Sequence, residues 1–157
     1  MVTCFKNATP QSNWAWYDVE SPSVEELDKI ALDFNLHPAA VQDCLQPDHL
    51  PKFEEMDEYH FMIMRLFSPD EPQSTSMRKL THKVALFFNE ELVITIHRKP
   101  QSFIQKLADG FVQNGKCQGA EHLVTKILKQ ALLTFDLPTE EWQKELDYYE
   151  GSLIRRH

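Results

Sequence analysis

Residues 36–66 read LHPAAVQDCLQPDHLPKFEEMDEYHFMIMRL, and this stretch decides the fold. Pro38 suits the first position of a helix, where its fixed φ helps and its missing N–H costs nothing. The spacing predicts a short helix over about 38–45. Pro47 and Pro51 stop any continuation, and an acidic turn leads into His60-Phe61-Met62-Ile63-Met64-Arg65-Leu66. That run is apolar on both alternating faces, the pattern of a strand covered on both sides. Asp43 falls near the end of the helix, facing a proline-punctuated loop that delivers acids to the foot of the strand.

Working toward the N-terminus, Ser21-Pro22-Ser23-Val24-Glu25-Glu26 is a helix start with Ser23 as N-cap and Glu26 completing a capping box. Leu27, Ile30, Ala31 and Phe34 make one apolar face, and Asn35 suits the left-handed closing position. Trp14 to Val19 reads as a strand, residues 1–6 as a short edge strand, and residues 7–13 as a polar loop containing Pro10. Toward the C-terminus, residues 68–76 (SPDEPQSTS) form a polar connection without periodicity. Val84, Leu86 and Phe88 alternate, and Asn89-Glu90 turns into Leu92-Val93-Ile94-Thr95-Ile96, a hairpin over 80–88 and 91–97. Strands near 61–66, 80–88 and 91–97 therefore form an antiparallel meander that the Trp14 strand joins. From Pro100 the period becomes helical. Phe103, Ile104, Leu107, Ala108 and Phe111 mark one helix closed near Asn114-Gly115, and Leu123, Ile127, Leu128, Ala131 and Leu132 mark the next. Pro138-Thr139-Glu140-Glu141 restarts a last, kinked helix with Trp142, Leu146, Tyr149 and Leu153 on one stripe.

The class is α/β (α+β): an α/β/α sandwich with a mixed, largely antiparallel sheet. Residues 1–118 form the α/β domain, and 119–157 a helical segment that begins a long helix. At 157 residues the chain can bury one sizeable core. Sixteen Lys+Arg against twenty-four Asp+Glu give a net charge of −8, which disfavours nucleic acid and anionic lipid as partners. Converging carboxylates would instead attract hard divalent cations. Cys4, Cys44 and Cys117 are odd in number, widely spaced and without a Cys-x-x-Cys, which fits a reducing compartment. No run reaches membrane-spanning length and the N-terminus lacks an apolar signal core. The chain stops inside a helical pattern at residues 153–157, as a piece of a longer protein would.

Glu54, Glu55, Asp57 and Glu58 form an acidic run that reads as a solvated turn with some power to attract cations. The histidines, His37, His49, His60, His82, His97, His122 and His157, show no zinc spacing, and His37 before Pro38 reads as a helix cap. Met56, Met62 and Met64 read as packing residues. There is no G-x-S-x-G, no glycine-rich phosphate loop and no cysteine in a catalytic context, so the chain does not read as an enzyme. Asp43, taken alone, is a solvated acid at a slightly unfavourable helix end.

Three ordered motifs change that reading. Trp16-Tyr17-Asp18 with Pro22 (W-x-D-x-x-x-P), Phe34-Asn35-Leu36-His37-Pro38 with Asp43 (F-x-L-H-P-x-x-x-x-D), and Leu50-Pro51-Lys52-Phe53-Glu54 (L-P-K-x-E) resemble the N-terminal cytosolic domain of the CorA family of magnesium channels. The likeness is strongest over residues 14–98. It implies a subunit of a homopentamer whose α/β/α domain leads into a stalk helix and then two membrane helices with a Gly-Met-Asn loop. On that reading the full-length protein sits in the inner membrane, with these residues on its cytoplasmic side. The implied role is to sense intracellular Mg²⁺ and gate influx of Mg²⁺, with Co²⁺ as a second cargo. The resemblance implies that Asp43 helps hold a weak regulatory Mg²⁺ shared between subunits, its partner acid lying beyond His157. Gln42 and Lys129 stand where further acids would be needed, so one site is implied rather than two. A zinc transporter of the ZntB type shares the architecture and is the alternative within the family. A freestanding α/β interaction domain is the alternative outside it.

Overall fold

The computed structural model describes residues 1–6, 13–70 and 74–154. Strands β1 (Val2–Lys6), β2 (Ala15–Glu20), β3 (Lys52–Glu55), β4 (His60–Phe67), β5 (Thr81–Phe88) and β6 (Leu92–His97) form one sheet in the order β1-β2-β6-β5-β4-β3. β4, β5 and β6 are the expected antiparallel meander. β2 joins it parallel to β6, with Trp16 opposite Val93, while β1 runs antiparallel along β2. The sheet is therefore mixed and largely antiparallel.

Both faces are covered, which is why its central strands are apolar at every position. Helices α1 (Val24–Asp33) and α2 (Pro38–Leu45) pack on one face, where Leu27, Ile30, Ala40 and Val41 meet Phe61, Ile63, Ala85, Phe87 and Ile94. On the other face lie α4 (Ser102–Leu107), a π-helical turn that extends it over Ala108–Val112, and α5 (Ala120–Leu133). There Ile104, Ala108, Leu123 and Ile127 meet Trp16, Met64, Leu66, Val84 and Val93. Neighbouring residues of one strand serve opposite cores, as the pleat demands. The two sequence segments, 1–118 and 119–157, meet in this second core.

Local chemistry sets the element ends. The Ser23 hydroxyl accepts from Glu26 N–H at 3.1 Å and the Glu26 carboxylate accepts from Ser23 N–H at 3.0 Å, the expected capping box. Asn35 adopts φ 50° just beyond α1, and Gly115 φ 67° beyond the π turn. Helix α2 has the bounds that Pro38 and Pro47 predict.

Three features differ from the sequence expectation. Residues 52–55, expected in a loop and acidic turn, are strand β3, paired antiparallel with β4. It is an edge strand whose Phe53, Glu54 and Glu55 side chains are exposed, so nothing in its pattern alternates. The connection after β4 ends in a short helix, α3 (Met77–Leu80). The last helix, α6 (Asp136–Ile154), begins two residues before Pro138. The polar loop expected over 7–13 lies, but for Asn13, outside the described residues.

Candidate functional site

Asp43 is placed by α2. The His37 ring accepts from Ala39 N–H at 3.2 Å and His37 N–H donates to the Tyr59 hydroxyl at 2.6 Å, which pins the start of the helix. Ala40, Val41 and Cys44 turn inward, leaving Asp43 at the rim with its side chain 18% exposed.

The other end of α2 is held by cations. Lys83 Nζ donates to the carbonyls of Asp43 at 2.6 Å, Cys44 at 2.9 Å and Gln46 at 2.5 Å. Arg98 donates to Leu45 O at 3.0 Å. Positive charge at a helix C-terminus satisfies orphan carbonyls and opposes the helix dipole. Arg65 then fixes the following loop, donating to the carbonyls of Pro47 and His49 at 3.1 and 3.0 Å and to the Thr81 hydroxyl at 2.6 Å. Burial, aided by the charges of Arg65 and Arg98, pulls the Lys83 ammonium down to about 8.

Around the Asp43 carboxylate stand a cation and an imidazole. Lys52 Nζ lies 2.5 Å from Oδ2, and His49 Nε2 lies 3.4 Å from Oδ1. Lys52 also bonds Glu54 at 2.9 Å and lies 5.2 Å above the Phe61 ring. Partial burial disfavours its charge, but the bonds to Asp43 and Glu54 outweigh this and raise its pKa. Glu54 thus points from β3 toward the same lysine, a link that no spacing rule announces. Cys44 is no ligand: burial pushes its thiol up to about 12.

Among the described residues no three or more His, Cys, Asp or Glu side chains converge as a metal cage. One chain therefore brings together here the Asp43 carboxylate, already paired with an ammonium, and Glu54 on the other side of that ammonium. That is enough for one ligand of a mostly hydrated ion, and not for a site complete in one chain. Gln42 is exposed beside Asp43, and Lys129 is exposed on α5.

A buried polar network lies elsewhere, and only its Trp16 and Asp18 stood out in the sequence. His97 Nε2 lies 3.0 and 3.2 Å from the two Asp18 oxygens, Thr95 donates to Asp18 at 2.5 Å, and Trp16 Nε1 donates to Thr95 at 3.1 Å. The other His97 nitrogen faces Lys99 O at 2.8 Å. Two acceptors for two ring nitrogens favour imidazolium. Burial alone would lower the His97 pKa, yet the Asp18 hydrogen bond and charge raise it. The network ties parallel strands β2 and β6.

The sequence profile of a family described as CorA-like Mg²⁺ transporter protein matches residues 11–157. A Bacillus subtilis protein provisionally named as a metal ion transporter, YfjQ, is 27% identical over 100 residues, covering 64% of this chain and 29% of that protein. The chain thus spans less than a third of that relative. The soluble domain of CorA from Methanocaldococcus jannaschii superimposes with a TM-score of 0.64 at 17% identity, covering 99% of this chain and 65% of that one. The cytoplasmic domain of ZntB from Vibrio parahaemolyticus does so with a TM-score of 0.70 at 14% identity, covering 93% and 63%. At these identities the two likenesses speak for the fold. No helix among the described residues is long and apolar enough to cross a membrane.

Proposed function

The chain belongs to the family of CorA-like Mg²⁺ transporter proteins, and from that premise we propose that it is the cytosolic regulatory domain of a divalent-cation channel, with Asp43 as one ligand of a weak regulatory Mg²⁺ site. The family is one of transporters and not of enzymes. The observation that carries the reading is the Asp43 carboxylate at the molecular rim with a cation, Lys52, already on it.

Lys52 bonds Asp43 and Glu54 together, so it keeps one carboxylate when it gives up the other. Hydrated Mg²⁺ then competes with an ammonium instead of entering an empty cage, which keeps affinity low. Low affinity suits a sensor that must empty when the ion becomes scarce. A second carboxylate comes from a neighbouring copy or from chain beyond residue 157, so the ion links parts that otherwise repel. Such a link biases one arrangement of the assembly over another. In the full-length protein, Asp43→Ala is expected to raise open probability at high internal Mg²⁺, and unchanged Mg²⁺ inhibition would remove Asp43 from the sensor.

The likeness to a ZntB cytoplasmic domain favours a second reading of the cargo, with Zn²⁺ in place of Mg²⁺ or Co²⁺. Uptake of each ion by the full-length protein separates the two. A homopentamer is the assembly proposed for both, tested by the mass of the detergent-solubilised protein.

A further inference from the structure

Behind the C-terminus of α2 lies a pocket of about 280 Å³ whose charge is opposite to that of the whole chain. Arg65, Arg78, Lys79, Lys83, Arg98 and Lys99 line it, six of the chain's sixteen lysines and arginines, with Asp70 the one carboxylate among the described residues that line it. The net charge of the chain is −8, so this concentration runs against composition. Asp70 is itself occupied, 3.3 Å from His82 Nε2 and 3.7 Å from Lys99 Nζ.

Among the described residues the two innermost cations bond no carboxylate, although Asp43 and Asp48 act on them through space. Lys83 bonds three backbone carbonyls, and Arg65 bonds carbonyls and the Thr81 hydroxyl. Such partners satisfy N–H donors without cancelling charge. The α2 terminus opposes an anion with about half a negative charge. Lys83 and Arg98, both bonded to its last carbonyls, outweigh that. Thr81, His82 and His97 also reach the pocket, and Leu27 and Leu45 from α1 and α2 with Ile96 from β6 give it an apolar wall. Free inorganic ions have no use for such a wall, whereas an organic group does.

We propose that this pocket binds a small organic phosphate, with the phosphate on Arg78, Arg98 and Lys99 and the organic part against Leu27, Leu45 and Ile96. Arg78, Arg98 and Lys99 are exposed and can turn to the ligand, while Arg65 and Lys83 stay on their carbonyls and supply a fixed positive field. Guanidinium groups match phosphate oxygens in pairs, which favours phosphate over a monovalent anion. Because Lys83 holds the Asp43 carbonyl and Arg65 the His49 carbonyl, the ligand bears on the loop that shapes the Asp43 site. The inference does not depend on metal at Asp43, which does not line the pocket.

The test is calorimetric titration of the 157-residue chain, at fixed ionic strength, with adenosine monophosphate, inorganic phosphate, adenosine and succinate. The nucleotide should bind more tightly than phosphate, and adenosine and succinate should not bind. Arg98→Gln and Arg78→Gln should each weaken the nucleotide about tenfold, the loss of one charge-assisted contact. Lys106→Gln, an equal loss of charge outside the pocket, should leave it unchanged. Far-UV circular dichroism confirms that each variant folds. Absence of nucleotide binding, succinate binding equal to phosphate, or equal weakening by Lys106→Gln and Arg98→Gln would each overturn the proposal.

Discussion

Lys52 holds its ammonium 2.5 Å from Oδ2 of Asp43 while also bonding Glu54 at 2.9 Å, so the acid at the centre of the functional proposal already carries a cation. Lys52 comes from an edge strand and Asp43 from a helix, and nine residues separate them. If Mg²⁺ must displace this ammonium, Lys52→Met should strengthen Mg²⁺ binding to the full-length protein. The stability cost should be small, about 0.5 kcal/mol, since both side chains keep solvent contact. Asp43→Asn should abolish the same binding in either background. Mg²⁺ affinity unchanged by Lys52→Met would show that the lysine does not compete.

Much of this arrangement was legible in the sequence, and the illegible part has physical causes. Helix α2, the buried β4 and the β5–β6 hairpin follow from prolines, two-sided apolar runs and a polar turn, all local signals. The Ser23–Glu26 box and the left-handed Asn35 were readable for the same reason. β3 was not, because an exposed edge strand is set by backbone pairing with β4 and need show no alternation. Asp43 was readable as a candidate, but its partners Lys52, His49 and Lys83 reach it through tertiary packing. The basic pocket drew its residues from α3, β4, β5 and the end of β6, so no window of sequence looks basic.

The Asp18–His97 pair should make stability depend on pH. The His97 pKa is raised in the folded protein because, although burial opposes its charge, Asp18 bonds it and Lys99 O and Glu20 add to the effect. A raised folded pKa means stability fully present below the unfolded value, about 6.5, and lost as pH climbs through the folded value. Thermal midpoints should therefore fall across that window. His97→Gln should flatten this dependence and cost about 3 kcal/mol, since it leaves Asp18 buried beside a neutral group. A wild-type midpoint that is flat above pH 6 would count against a charged His97.

Lys83 makes the opposite prediction. Its pKa falls to about 8 because burial, then the nearby Arg65 and Arg98 charges, disfavour the ammonium. The unfolded chain binds that proton up to the ordinary lysine range near 10.4, so this group's contribution to stability rises as pH climbs from 8 toward 10. Carbon-13 NMR of the lysine side chains should show one titration near pH 8 that Lys83→Met removes. A set of lysines all titrating in the ordinary range would show that the three carbonyls compensate fully for burial.

The final two helices should respond very differently to the same deletion. Leu123 of α5 is fully buried against the sheet, and Leu123→Ala should cost about 3 kcal/mol through lost burial and the cavity left behind. Leu146 of α6 belongs to the expected stripe with Trp142, Tyr149 and Leu153, yet all four are exposed, from 50% at Trp142 to 66% at Leu153. Trp142 meets the ring of Phe67 on β4, centroid to centroid 6.0 Å, whereas Tyr149 meets Tyr148 of its own helix at 5.7 Å. Leu146→Ala should therefore change the stability of the 157-residue chain by no more than about 0.5 kcal/mol in urea unfolding. A cost near that of Leu123→Ala would mean that the chain buries this stripe in solution against a second copy, and a dependence of the unfolding midpoint on protein concentration would accompany it.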